Sequence, residues 1–175
     1  MRIEILKGKQ IFDSGLAERI IEFDKMNMQP IFEKAGIAFP EEKRRQGLQS
    51  NPTFIIAFEA DAIAGYIEYL WSWNNPNYIY VGSVQIAEKY RNTRLILKLF
   101  NEFRSAVSGE NFVGFETNVQ KTNLLAVKMY QKIGFNLQEN PNNQASWLAR
   151  ADKNLLETSP IIQLIEKWRE KSRAT

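Results

Sequence analysis

The sequence predicts a mixed α/β domain of the α+β kind, with one central, mostly antiparallel sheet and helices on both faces. Three observations carry this. Runs rich in β-branched and aromatic residues alternate with stripes of helical period, three such runs follow one another in the middle of the chain, and a helix–strand–helix succession comes after them. At 175 residues and 44% apolar composition, the chain is long and apolar enough to bury one real core without covalent staples.

Residues 2–7 alternate as a short strand. Asp13 or Ser14 can cap a helix over 13–27, in which Leu16, Ile20 and Phe23 share a face. Residues 28–52 are interrupted by Pro30, Pro40 and Pro52, with a short charged helix over 40–48. Thr53–Phe58, Ile63–Trp71 and Tyr78–Ile86 then read as an antiparallel meander, with turns at Glu59-Ala60-Asp61 and Asn74-Asn75-Pro76-Asn77. Residues 94–107 switch to helical period through Leu95, Leu99, Phe103 and Ala106. Phe112–Thr117 is a further strand, with Glu116 as a surface charge near its end. Residues 122–132 form a helix with Thr122 as N-cap and Gly134 as left-handed stop. Phe135–Glu139 and Ser146–Ala149 make a last hairpin, and 160–172 a closing amphipathic helix on which Ile161, Leu164, Ile165 and Trp168 align.

Composition excludes much chemistry. With no Cys there is no disulfide, thiolate metal site, iron–sulfur cluster or Cys nucleophile. With no His there is no Ser–His–Asp triad, no usual zinc site and no imidazole base. A net charge of +3, from 23 basic against 20 acidic residues, is too mild for a nucleic-acid partner. Lys89, Arg91, Arg94, Lys98 and Arg104 form no continuous basic face, because Glu88 and Glu102 interrupt them. No apolar run approaches the roughly 18 residues that span a bilayer, and the N-terminus lacks a signal-peptide stretch. The expectation is a cytoplasmic protein with neither a nucleic-acid nor a membrane partner.

Two segments carry the functional reading. The first is Val84-Gln85-Ile86-Ala87-Glu88-Lys89-Tyr90-Arg91-Asn92-Thr93-Arg94-Leu95-Ile96. A strand running through a tight turn into a helix gathers free backbone N–H groups at the positive end of the helix dipole, which suits a pyrophosphate. The second is Asn123-Leu124-Leu125-Ala126-Val127-Lys128-Met129-Tyr130-Gln131-Lys132-Ile133-Gly134-Phe135. Together they resemble the GNAT superfamily of acetyl-CoA-dependent N-acetyltransferases, the second through its spacing of Asn, Ala, Tyr, Lys and Gly-Phe.

The resemblance implies a GNAT-like acyl-CoA N-acyltransferase fold over 1–150. The sheet is splayed at its centre to admit a pantetheine arm, and 151–175 form a C-terminal helical extension packed on the same domain. It implies acetyl-CoA as cosubstrate, held by Ile86, Ala87, Arg91, Asn92, Thr93, Arg94, Leu95, Ile96 and Asn123. A backbone N–H at Ile86 or Ala87 then stabilises the oxyanion, and Tyr130 protonates the departing thiolate. In the family the turn reads Gln or Arg, two residues, Gly, one residue, then Gly or Ala. Here Arg91 matches the lead, while Arg94 and Ile96 replace the small residues. Arg94 can add a guanidinium to the phosphates; Ile96 either crowds the ligand or points into the core.

Without His, the base that deprotonates the amine is Glu68, Glu116 or a water chain. The family builds its acceptor site from the region here spanning 24–50, with Phe39, Trp71 and Trp73 either bordering it or packing on the sheet. Tyr130 as a half-buried structural residue and Asn123 as a plain helix cap are the other readings of those residues. Two functions follow. One is acetyl transfer to a primary amine of a small molecule or peptide, by direct attack in a ternary complex. The other is a binding or assembly module with a decayed cofactor turn. The closing helix covers an apolar patch or makes a homodimer contact.

Overall fold

The structure is a computed structural model that describes residues 1–34, 36–91, 93–159 and 163. By internal contacts the chain divides into two units, Met1–Leu70 with Gly82–Leu99, and Trp71–Val81 with Phe100–Thr175.

In the first unit, strand β1 (Arg2–Lys7) leads into helices α1 (Gly8–Asp13), α2 (Leu16–Lys34) and α3 (Glu41–Gln49), then strands β2 (Thr53–Glu59) and β3 (Ala62–Trp71). β1 pairs antiparallel with β2 from Arg2↔Phe58 to Lys7↔Thr53. β2 pairs antiparallel with β3, its register shifting between Ala57 and Phe58. Ala60, at φ 50°, makes the hairpin turn. Ile11, Ile20, Leu48, Phe54, Ile56 and Tyr66 fill the core that these elements share.

The helical part differs from the sequence expectation. Asp13 and Ser14 end α1 instead of opening a helix: the Ser14 N–H donates to the Gln10 carbonyl at 3.1 Å. Gly15 then turns the chain at φ +68°, where a Cβ would be strained. α2 also continues through Pro30 to Lys34. Proline removes one helical donor, but Met26, whose carbonyl loses that partner, is 72% exposed, so water can take its place.

Strand β4 (Tyr78–Ile86) runs through both units. It is followed by a 3-10 turn at Glu88–Tyr90 and helix α4 (Leu95–Val107). The second unit adds strand β5 (Gly114–Gln120), helix α5 (Leu124–Ile133), strands β6 (Asn136–Glu139) and β7 (Ser146–Asp152) and the short helix α6 (Leu155–Thr158). β4 and β5 pair in parallel from Tyr78↔Gly114 to Tyr80↔Glu116, as a crossover through α4 requires. β7 pairs antiparallel with β5 over Gly114↔Asp152 to Gln120↔Ser146, and with β6 over Asn136↔Arg150 to Glu139↔Trp147. The strand order is β1-β2-β3-β4-β5-β7-β6, seven strands in a mostly antiparallel sheet.

Phe112, expected in β5, instead precedes it and packs its ring 5.0 Å from that of Phe115, which also meets Phe103 at 5.6 Å. Glu116 is not a surface charge: it is 1% exposed. The N-cap of α5 is Asn123, not Thr122, because its Oδ1 accepts from the Ala126 N–H at 3.1 Å. Gly134 ends α5 at φ 113°, the left-handed stop read from the sequence. The helix expected over 160–172, with its dimer contact, lies outside the described residues apart from Gln163. No described helix is long and apolar enough to cross a membrane.

Candidate active site

The strand–turn–helix segment lies wholly in the first unit. β4 ends at Ile86, and the Ala87 N–H donates to the Ala64 carbonyl of β3 at 2.9 Å. Of the two residues named for the oxyanion, Ala87 therefore has its N–H taken by the sheet. Successive peptide groups of a strand point to opposite edges. The N–H groups of Val84 and Ile86 therefore face the edge away from β3. Arg91 marks that edge, since its Nε donates to the Ile86 carbonyl at 3.4 Å. Its Nη2 donates to Asn27 Oδ1 of α2 at 3.3 Å. Both acceptors are neutral, so these bonds leave the Arg91 charge uncompensated.

Thr93 organises the start of α4. Its hydroxyl donates to the Tyr90 carbonyl at 2.7 Å and accepts from the Leu95 N–H at 3.2 Å. The N–H groups of Ile96 and Leu97 lie in the first helical turn, which has no intrahelical acceptors. Leu95 takes the core position at 2% exposure, whereas Ile96 stays partly exposed. Arg91, Thr93 and Arg94 are exposed. Two guanidinium groups beside a helix N-terminus fit a pyrophosphate. Asn92 lies outside the described residues.

Both carboxylates named as bases are committed. Nη1 of Arg44 on α3 donates to both oxygens of Glu68, at 2.9 and 2.8 Å. Arg44 Nε also donates to Asp24 Oδ2 of α2 at 2.6 Å, and Nη2 to the Tyr66 hydroxyl at 3.3 Å. The Tyr66 hydroxyl donates in turn to Asp24 Oδ1. Asp24, Glu68 and Tyr66 are 3%, 4% and 0% exposed. Burial raises the Asp24 carboxyl above its usual range, against the opposing pull of Arg44 and Tyr66. Burial likewise lifts Tyr66 well above the ordinary phenol value, assisted by the Asp24 charge. In the second unit, Glu116 accepts from the Ser72 hydroxyl and from Arg150 Nε, the latter at 3.1 Å.

Sequence reading named Glu68 but missed Asp24, Arg44 and Tyr66, the other members of this buried cluster. One signal was present. Asp24 falls three and four residues after Ile21 and Ile20, on the buried stripe of α2, where a charge requires a partner.

Asn123 and Tyr130 belong to the second unit. Asn123 caps α5, one of the two roles that the sequence leaves open to it. Tyr130 is buried, with its ring 5.0 Å from that of Phe135. Its phenol is pushed up to about 12, first by burial, with a hydrogen bond from Thr117 opposing and Tyr80 assisting. Like an ordinary phenol it is neutral at physiological pH, and the shift only extends that range upward. Trp73 is 65% and Trp71 45% exposed. Phe39 lines a pocket of about 480 Å³ with Lys25, Gln29, Glu33, Gly36, Ile37 and Ala38. That pocket lies within the 24–50 region expected to form the acceptor side. Among the described residues, no group of three acidic side chains could hold a metal.

A mostly antiparallel seven-stranded sheet with a βαβ crossover from β4 through α4 to β5 has the architecture of the acyl-CoA N-acyltransferase class of fold. The model of the Acetyltransferase (GNAT) family matches residues 20–135, and the chain belongs to that family. Solved structures agree in fold. A PaiA N-acetyltransferase from Thermoplasma acidophilum in complex with coenzyme A superposes with a TM-score of 0.62 at 18% identity, over 87% of this chain and 99% of that one. A GNAT-family acetyltransferase from Staphylococcus aureus gives 0.65 at 17%, over 86% and 99%. An acetyltransferase from Thermus thermophilus gives 0.64 at 14%, over 87% and 97%. None of the curated protein sequences compared with this chain matches it.

Proposed function

We propose that this chain is an N-acetyltransferase, which moves the acetyl group of acetyl-CoA to a primary amine of a small molecule or peptide by direct attack in a ternary complex. The observation that carries the reading is the turn after β4, where Arg91 and Arg94 stand exposed beside the open first turn of α4. Bound acetyl-CoA supplies a thioester whose attack by an amine expels a thiolate. Arg91 and Arg94 hold the phosphates by their guanidinium groups and Ile96 by its backbone N–H, while Thr93 and Leu95, whose own N–H groups are engaged within the turn, shape the cradle. Asn92 and Asn123 complete the set carried over from the family pattern. The β4 edge presents the N–H of Ile86, with that of Val84 two residues before it, to the thioester oxygen. Tyr130, which carries its proton at neutral pH as any phenol does, donates it to the leaving sulfur.

Calorimetric titration with acetyl-CoA tests this, beside an Arg94→Gly/Ile96→Gly variant. Micromolar binding by the natural chain is expected. Silence there, with binding restored in the variant, would make the chain a binding module with a decayed turn. Given binding, Tyr130→Phe is expected to lower kcat by about 10²-fold or more while leaving acetyl-CoA affinity unchanged. An unchanged turnover rate would remove Tyr130 from the chemistry.

A further inference from the structure

We propose that Ser83, Tyr66 and Asp24 form a relay that takes the proton from the incoming ammonium group, with Asp24 as its final acceptor. The inference rests on the N-acetyltransferase reading and supplies the base that reading lacks. Amines reach such a site mostly as cations, and each must lose a proton before its nitrogen can attack. The chain has no His, Glu116 belongs to the other unit, and of the two carboxylates that share Arg44 it is Asp24 that accepts from the Tyr66 hydroxyl.

The hydrogen-bond geometry sets the direction. Tyr66 has a single proton, and the anionic Asp24 Oδ1 can only accept it. The Ser83 hydroxyl lies 3.5 Å from that of Tyr66, and with the Tyr66 proton given to Asp24 a hydrogen bond across that gap has Ser83 as the donor. Gln85 Nε2 donates to Ser83 Oγ at 3.2 Å, which leaves one Ser83 lone pair open. An ammonium N–H can occupy it. Ser83 is half-buried on β4 beside Val84, whereas Tyr66 is fully buried and Asp24 nearly so. The three hydroxyl and carboxyl groups therefore lead from the strand that carries the proposed oxyanion donors into the interior.

The charges around Asp24 suit a temporary proton store. Arg44 from α3 holds it on one side, Tyr66 from β3 on the other, and Glu68 adds a second negative charge. Two carboxylates share one guanidinium, so the set carries one surplus negative charge that a proton neutralises. Burial has already raised the carboxyl, which narrows its gap to an ammonium group. The step balances. One ammonium proton passes to Ser83 as the Ser83 proton passes to Tyr66 and the Tyr66 proton to Asp24. The neutral nitrogen then bonds to the acetyl carbon as the carbon–sulfur bond breaks. The nitrogen's second proton ends on the sulfur, and Asp24 returns its proton to solvent.

The test follows CoA release from acetyl-CoA with butylamine, cationic at pH 7, and with hydroxylamine, neutral there. Ser83→Ala and Tyr66→Phe are expected to lower kcat for butylamine at least about 10²-fold, with the KM for acetyl-CoA unchanged. The loss should shrink as pH rises and be small with hydroxylamine. Equal losses for the two amines, or no loss, overturn the relay. Ser83→Ala keeps the test alive if Tyr66→Phe does not fold. Carbon-13 NMR of the Asp24 carboxyl gives a readout independent of turnover. It is expected to titrate above an exposed aspartate and to move in Tyr66→Phe; titration like an exposed aspartate overturns the proposal. A wild type that binds acetyl-CoA but acetylates neither amine also overturns it. Absence of acetyl-CoA binding instead defeats the N-acetyltransferase reading itself.

Discussion

Arg44→Met is expected to lower the stability of the chain by about 3–5 kcal/mol, the usual cost of leaving a buried ion-pair partner alone. Arg44 is held by Asp24, Glu68 and Tyr66, and its side chain is only 16% exposed. Methionine restores most of the stem volume, so the loss reports the charge and not a cavity. Two carboxylates then remain buried without a cation. The same logic predicts that an Asp24→Asn/Arg44→Met/Glu68→Gln triple variant recovers much of the loss, because no unpaired charge is left.

The pH dependence has a definite sign. The folded value of Asp24 is already raised, so its favourable contribution is complete below the unfolded value of about 3.9 and is lost as pH rises through the folded value. Removing Arg44 removes the largest influence that lowers it. The Arg44→Met penalty should therefore be smallest in acid and grow toward neutrality. Urea midpoints between pH 4 and 7 read this directly, and a penalty independent of pH would contradict the assignment. Arg45 is the control: its partners Glu18, Glu41 and Glu42 are all at the surface, so Arg45→Met should change little.

Gly114→Ala is expected to destabilise by about 1–3 kcal/mol or more through overpacking. A Cβ there would stand 2.3 Å from the Ala151 carbonyl oxygen and 2.9 Å from the Tyr78 ring. The oxygen belongs to backbone and cannot swing aside. Gly114 also occupies the ends of two ladders, opposite Tyr78 and Asp152, so displacing it loosens both. Gly47→Ala should act in the opposite direction. An added methyl at Gly47 meets nothing within 4 Å, and alanine favours an α3 interior by about 0.5–1 kcal/mol. Thermal midpoints of the two variants should move apart; equal shifts would mean that the close approach at Gly114 carries no strain.

Much of the fold was legible because it rests on local period. β1 and β4 have the bounds that alternation assigns, and β2, β3 and α4 differ by one residue. The Gly134 stop was legible because the left-handed conformation selects glycine. Boundaries failed where long-range packing decided. Phe112 has strand character yet serves as a core anchor before β5, and Pro30 lies within a helix because its lost hydrogen bond falls beside an exposed turn.

Although the helix α1 and the split between α1 and α2 escaped it, the amino-acid sequence by itself determined the succession of the seven strands along the chain, the family and the chemistry that the chain cannot use. Those depend on residue spacing over one or two helical turns, or simply on which side chains exist. Tertiary structure alone decided which carboxylates are available. Glu68 and Glu116 read identically as sheet glutamates, but Arg44 lies 24 residues from the first and Arg150 lies 34 residues from the second. No local pattern encodes those pairings. The same holds for Asp24, Tyr66 and Ser83, which stand far apart along the chain and meet only when α2 packs on β3 and β4. A charge buried by folding must find its partners wherever the fold brings them, and here that requirement assembled a polar chain that leads inward from β4.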